Sequence, residues 1–186
     1  MHDDSPQRRV RIARIACLLG MVLLTLTAIP ATPLSAATPY YVGIAGDGAG
    51  VVSDCATPTN NDCTLRDALA VAVSGGDTIT FGSSFPSGTQ TINIVTNGTL
   101  PIAHTVTLIG PVSQTVKIDG GYNPMTHTDG VRVFDVSGGS TFALRNLTIQ
   151  HGNPSGASPK PGLGGGVRVA SDSTLAVTNC TFTANV

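Results

Sequence analysis

Residues 132–149 read RVFDVSGGSTFALRNLTI and residues 165–182 read GGVRVASDSTLAVTNCTF. Laid over each other without a gap, at an offset of 33, they coincide at Val136/Val169, Ser140/Ser173, Thr141/Thr174, Ala143/Ala176, Asn146/Asn179 and Thr148/Thr181. Apolar character also holds at Phe134/Val167, Phe142/Leu175, Leu144/Val177, Leu147/Cys180 and Ile149/Phe182. A fixed period carrying two-residue alternation marks an all-β solenoid, in which each turn stacks on the last. A third, imperfect turn precedes these two. TVTL at 105–108 aligns with TFAL at 141–144, and VKIDGG at 116–121 with LTIQHG at 147–152, if GPVSQ is an inserted corner. The expected array therefore has about three turns. Its long loops, GGYNPMTHTDG and HGNPSGASPKPGLG, leave at equivalent places and so on one face.

Upstream, short alternating runs continue the pattern at Ile79/Phe81, Ile92/Ile94, Val106/Leu108, Val116/Ile118 and Val131/Val133, separated by Gly, Pro, Asn or Ser. Tyr40–Val42 reads as a first strand. One helix is expected between them. Thr64 is its N-cap with Asp67 three residues on, and Leu65, Ala68, Leu69, Ala72 and Val73 form one apolar stripe ended by Gly75 and Gly76. Placed before a repeat array, such a helix can cover the open first turn.

The chain begins with the order of an export signal. Arg8, Arg9, Arg11 and Arg14 precede a 15-residue uncharged run, residues 15–29, and Ser35, Ala36 and Ala37 offer small residues for cleavage before Thr38. The run is short of the roughly 20 residues that a membrane span needs. The remaining 149 residues, enough for one domain, keep 6 of 10 basic and 9 of 11 acidic residues, a net charge of −3. That balance gives no sign of a nucleic-acid or anionic-membrane partner. Every acidic residue is Asp, and 24 threonines and 22 glycines against two lysines favour strands and tight turns over helices.

Export also places the cysteines where disulfides persist. Cys55 and Cys63 bracket the turn ATPTNND and form the natural pair, a closure contributing roughly 2–3 kcal/mol in the chain-entropy model. Cys180 replaces Leu147 of the previous repeat and reads as a small buried hydrophobe. Asn146 and Asn179, one repeat apart, are expected to form an amide ladder at the strand spacing of about 4.8 Å. Asn97, Asn146 and Asn179 also fit the glycosylation sequon, but the last two are expected within strands, where no glycan could be buried.

Residues 63–68, CTLRDA, resemble the CSLREA box of bacterial exported proteins. Gly164-Gly165-Gly166-Val167 and Phe182-Thr183-Ala184-Asn185 are similar to the GGAI and FxxN motifs of polymorphic outer-membrane protein repeats. The resemblance covers roughly residues 40–186 and implies a right-handed parallel β-helix, secreted or at the bacterial cell surface, with an adhesive or structural role. The chain is accordingly read as three segments: a signal peptide at 1–37, a cap with the CSLREA-like box at 38–90, and β-helix repeats at 91–186. The resemblance transfers no catalytic residue, cofactor or metal ligand. The partners it points to are cell-surface glycans or other surface proteins, with no membrane span after cleavage.

The alternative is the front of a carbohydrate-active β-helix enzyme, either lyase or hydrolase. Glycoside hydrolysis asks for two carboxyl groups about 5–9.5 Å apart, which here must come from Asp119, Asp129, Asp135 and Asp172. Asp135 aligns one turn from Arg168 and so reads as an ion pair, while Asp119 aligns with Gln150 and builds no acidic column. A calcium-assisted lyase would draw on Asp119, Asp129 and Arg132. His104, His127 and His151 lack metal-ligand spacing and read as loop residues. A third reading is a carbohydrate-binding module. There is no Trp, so Tyr40, Tyr41 and Tyr122 would have to supply the stacking surface. Because residues 182–186 carry no polar capping repeat, the sequence leads one to expect further repeats beyond Val186 or end-to-end association through residues 165–186.

Overall fold

The structure, a computed structural model, describes residues 37–48, 52–126, 129–154 and 164–186. Apart from Ala37, the expected export segment lies outside the described residues, as do His127 and residues 155–163 of the second long loop. Among the described residues no helix is long and apolar enough to cross a membrane.

Twelve short strands carry the chain: β1 (Pro39–Val42), β2 (Asp77–Phe81), β3 (Gln90–Asn93), β4 (Leu100–Ile102), β5 (Val106–Ile109), β6 (Val116–Asp119), β7 (Phe134–Val136), β8 (Thr141–Arg145), β9 (Thr148–Gln150), β10 (Val167–Val169), β11 (Thr174–Thr178) and β12 (Thr181–Thr183). They form three sheets in the orders β1-β2-β5-β8-β11, β3-β6-β9-β12 and β4-β7-β10. Every pairing is parallel. From β2 onward successive strands visit the three sheets in rotation, so each strand pairs with the strands three places before and after it. Parallel pairing requires connections that travel away and return; the one from β1 to β2 carries a helix, and each later one carries strands of the other two sheets.

The repeat found in the sequence is the register of the sheets. Phe134 lies opposite Val167, Thr141 opposite Thr174 and Thr148 opposite Thr181. The imperfect turn is also in register, with Val106 opposite Phe142 and Lys117 opposite Thr148. Inward residues stack into apolar columns. Ile92, Ile118 and Ile149 form one, and Leu100, Phe134 and their neighbours Ile102 and Val136 form two more, all buried. Two expectations change. Val131 and Val133 do not form a strand: β7 begins at Phe134, and Arg132 between them is fully buried. β4, with Pro101 at its centre, escaped the alternating pattern, yet Pro is tolerated there because β4 is the edge of its sheet.

The segment before β2, where the sequence places a cap, packs against β1 and β4. Helix α1 (Leu65–Val71) starts with the capping box the sequence predicts: the Thr64 side chain accepts from the Asp67 N–H, and the Asp67 carboxylate accepts from the Thr64 N–H at 3.2 Å. The helix ends before Val73, which is exposed and leaves the predicted stripe. A 3-10 turn (Val52–Ala56), not anticipated, lies against α1 and β1, and the Cys55–Cys63 disulfide ties it to the start of the helix. Arg66 grips Asp47 with two bonds of 2.9 and 3.0 Å and donates to the carbonyls of Gly98 and Thr99, joining the cap to the residues just before β4. Each residue in 63–68 thus has a structural task, since Leu65 and Ala68 fill the core beneath.

At the other side β10, β11 and β12 are sheet edges. Their apolar residues are less covered than their partners one strand back: Val177 is 45 % and Phe182 44 % exposed, against 0 % for Leu144 and Ile149.

Candidate functional site

Three features of sheet edge and loop converge beside the strand column β3-β6-β9. Asn93, Asp119 and Gln150 occupy one register row. The chain then swings outward after Asp119 through Gly121, Tyr122 and Asn123, and His151 turns sharply after β9 with a left-handed φ of 52°. Between them lies an open groove of ≈ 350 Å³ lined by Asn93, Asp119, Gly121, Tyr122, Asn123, Pro124 and His151.

Asp119 is the centre of this groove. One carboxylate oxygen accepts from the Gly121 N–H at 2.7 Å, and the other accepts from Gln150 Nε2 at 2.6 Å and faces His151 Nδ1 at 3.0 Å. Burial works to raise its pKa, but the bonds from Gln150, Gly121 and His151 outweigh it and hold the group below the ordinary 3.8. An ionised carboxylate only accepts, so the proton of this contact sits on His151 Nδ1. The depressed pKa has a defined sign in stability: Asp119 contributes fully above about pH 4, and the contribution is lost as pH falls through its folded pKa. Urea midpoints measured at pH 5 and pH 3 should therefore fall further for the wild type than for Asp119→Asn, whereas parallel losses would place the shift elsewhere.

The other residues singled out in the sequence are distributed differently. Arg132 points inward, donating from Nε to the Gly164 carbonyl at 3.0 Å and lying 3.8 Å from Asp135. Asp135 also receives Arg168 at 2.9 Å, the ion pair predicted from the alignment. Asp129 and Asp172 are exposed. The lyase trio of Asp119, Asp129 and Arg132 is thus split between a groove, a loop surface and the interior. Asn179 donates to Asn146 at 2.9 Å, and Asn146 to the Gly110 carbonyl at 3.4 Å, with both asparagines at left-handed φ near 55°. Asparagine is among the few residues that tolerate that corner conformation, which gives the repeated residue a second reason. Cys180 is free and half-buried beside the core.

His104 lines a separate, mainly apolar cavity of ≈ 390 Å³ between α1 and the strands β4 and β5. Tyr40 and Tyr41 are half-buried in β1. His151 departs from its sequence reading: it is the partner of a buried carboxylate. The signal for this pairing was present, since Asp119 aligns with Gln150 and His151 is the next residue. Among the described residues, no group of three or more His, Cys, Asp or Glu side chains is placed to hold a metal ion.

No family model, curated protein or solved structure matches this chain.

Proposed function

We propose that this chain is an exported, non-catalytic right-handed parallel β-helix, capped by α1, that serves an adhesive or structural role in the secreted medium or at a bacterial cell surface. The observation that carries the reading is the coincidence of sequence repeat and strand register. The recurring polar positions are engaged with each other, Asn146 with Asn179 and Asp135 with Arg168, and so are accounted for by stacking. Rotation of the strands through three parallel sheets supports the helical course of the backbone. The disulfide supports an oxidising compartment, in keeping with the basic and apolar order of residues 8–37. The tasks of residues 63–68 in the cap give physical content to their resemblance to the CSLREA box.

A catalytic reading would rest on Asp119. Among the described residues it is the single carboxylate lining its groove, and hydrolysis by paired carboxyl groups needs a second about 5–9.5 Å away. The test is to express the full chain with a C-terminal epitope tag in a bacterial host and assay three things together: location, cell adhesion to glycan-coated surfaces, and depolymerisation of polygalacturonate with calcium and of neutral polysaccharides. The expected result is a processed form starting near Thr38 in the envelope or medium, increased adhesion and no turnover. Depolymerisation abolished by Asp119→Asn would overturn the non-catalytic reading, and retention in the cytoplasm would overturn export.

A further inference from the structure

We infer that the Asp119–His151 groove is a binding site for a neutral carbohydrate, with Tyr122 as its stacking surface. This rests on the reading of the chain as a binding protein and names the ligand class of that site.

The hydrogen-bonding inventory of the groove motivates the assignment. Asn93 uses its side-chain oxygen to accept from the Val95 N–H at 3.0 Å, and Asn123 uses its oxygen to accept from the Met125 N–H at 2.9 Å. Both amide NH₂ ends are left without a protein partner among the described residues. Tyr122 is half-buried, and its hydroxyl is likewise without a protein partner there. Asp119 Oδ1 accepts one bond, from Gly121, and a carboxylate oxygen has capacity for a second. His151 is 37 % exposed at its side chain, and its Nε2 accepts when the imidazole is neutral with Nδ1 protonated. The groove thus presents two fixed NH₂ donors, two acceptors, a hydroxyl of either role and one aromatic ring.

Adjacent hydroxyls on a sugar ring each donate one bond and accept others, which is the complement of this set. The apolar C–H face of the same ring suits a tyrosine, whose body is apolar and whose tip is polar. The charge pattern narrows the choice. Among the described residues no Lys or Arg lines the groove, and its carboxylate, Asp119, is ionised, so phosphate, sulfate and uronate ligands would meet a negative charge without a fixed Lys or Arg there to offset it. A lipid would leave the amides and Asp119 desolvated and unpaired.

The experiment is titration calorimetry of the protein expressed from the full chain against maltotetraose, cellotetraose, mannotetraose and galactotetraose, with tetragalacturonate as the acidic probe, at pH 7.5. At least one neutral tetrasaccharide should bind saturably and the acidic one should not. Tyr122→Ala should weaken that binding about tenfold, and Asn93→Ala and Asn123→Ala about fivefold each, with unchanged melting temperatures. Asn93 and Asn123 are exposed, so these two variants test the site even if Tyr122→Ala unfolds. Binding of tetragalacturonate alone, binding of none of the five, or wild-type affinity in all three variants would overturn the assignment. Adhesion that persists while no tetrasaccharide binds would remove the groove and leave the adhesive reading standing. Loss of adhesion with binding of none of the five would remove both, and saturable binding without adhesion would leave the groove and remove the adhesive reading.

Discussion

Phe142→Ala is expected to lower the unfolding free energy by about 3–5 kcal/mol, as deletion of a fully buried aromatic ring does. Phe142 sits in register between Val106 and Leu175, and its ring lies 5.0 Å from that of Phe134. It therefore joins two sheets as well as two neighbouring strands. Since domains of this size retain only about 5–15 kcal/mol, the variant should be marginal at 37 °C. Leu175 continues the same column one strand further on, where it is only partly buried. Its replacement by alanine should cost about 1 kcal/mol, because much of its surface already meets water. Urea unfolding of the two variants measures the contrast, and equal losses would show that the β11 column is as well covered as the β8 column.

Gly165→Ala should cost about 3 kcal/mol, the upper part of the usual range for forcing extra volume into packed structure. A Cβ there would intrude on the carbonyls of Gly152 and Val186, and one on Gly152 would intrude on the carbonyl of Gly165. Neither side can yield easily. The Gly165 carbonyl accepts from the Val133 N–H at 2.9 Å, and the Gly152 carbonyl accepts from the Val186 N–H at 2.9 Å. Gly48→Ala is the matching control, since nothing lies within 4 Å of its added carbon, and it should change stability by less than about 0.5 kcal/mol. Similar thermal midpoints for both variants would contradict this account of the glycine run at 164–166.

Those glycines show what the sequence could and could not disclose. Their presence in a motif was visible; their reason, a close approach of two backbones, depends on residues that are neighbours only after folding. Strand register was legible wherever the corners between strands keep their length, as between Asn146 and Asn179. It survived the inserted corner at 110–114 because TVTL and VKIDGG each retain alternation on either side. Alternation misled at Val131-Arg132-Val133, where burial of the charged residue follows from Asp135 and the Gly164 carbonyl. It was silent at Leu100-Pro101-Ile102, which is too short for a pattern. The groove was the least legible feature. Asp119 and His151 sit at the ends of aligned repeat segments but differ from their counterparts there, Tyr122 belongs to neither segment, and the three meet because the loops after β6 and β9 leave from the same corner.

That shared corner also determines where this protein can change length. The connection from β8 to β9 is two residues, Asn146 and Leu147, both pinned between neighbouring strands, so an insertion there would disturb the stacking on either side. The connections from β6 to β7 and from β9 to β10 are much longer, yet both return to the same register, Phe134 opposite Val167. Segments grafted into these two loops need to satisfy only their points of departure and return. New recognition sequences can therefore be exchanged there, by recombination or by design, while the columns beneath remain unaltered.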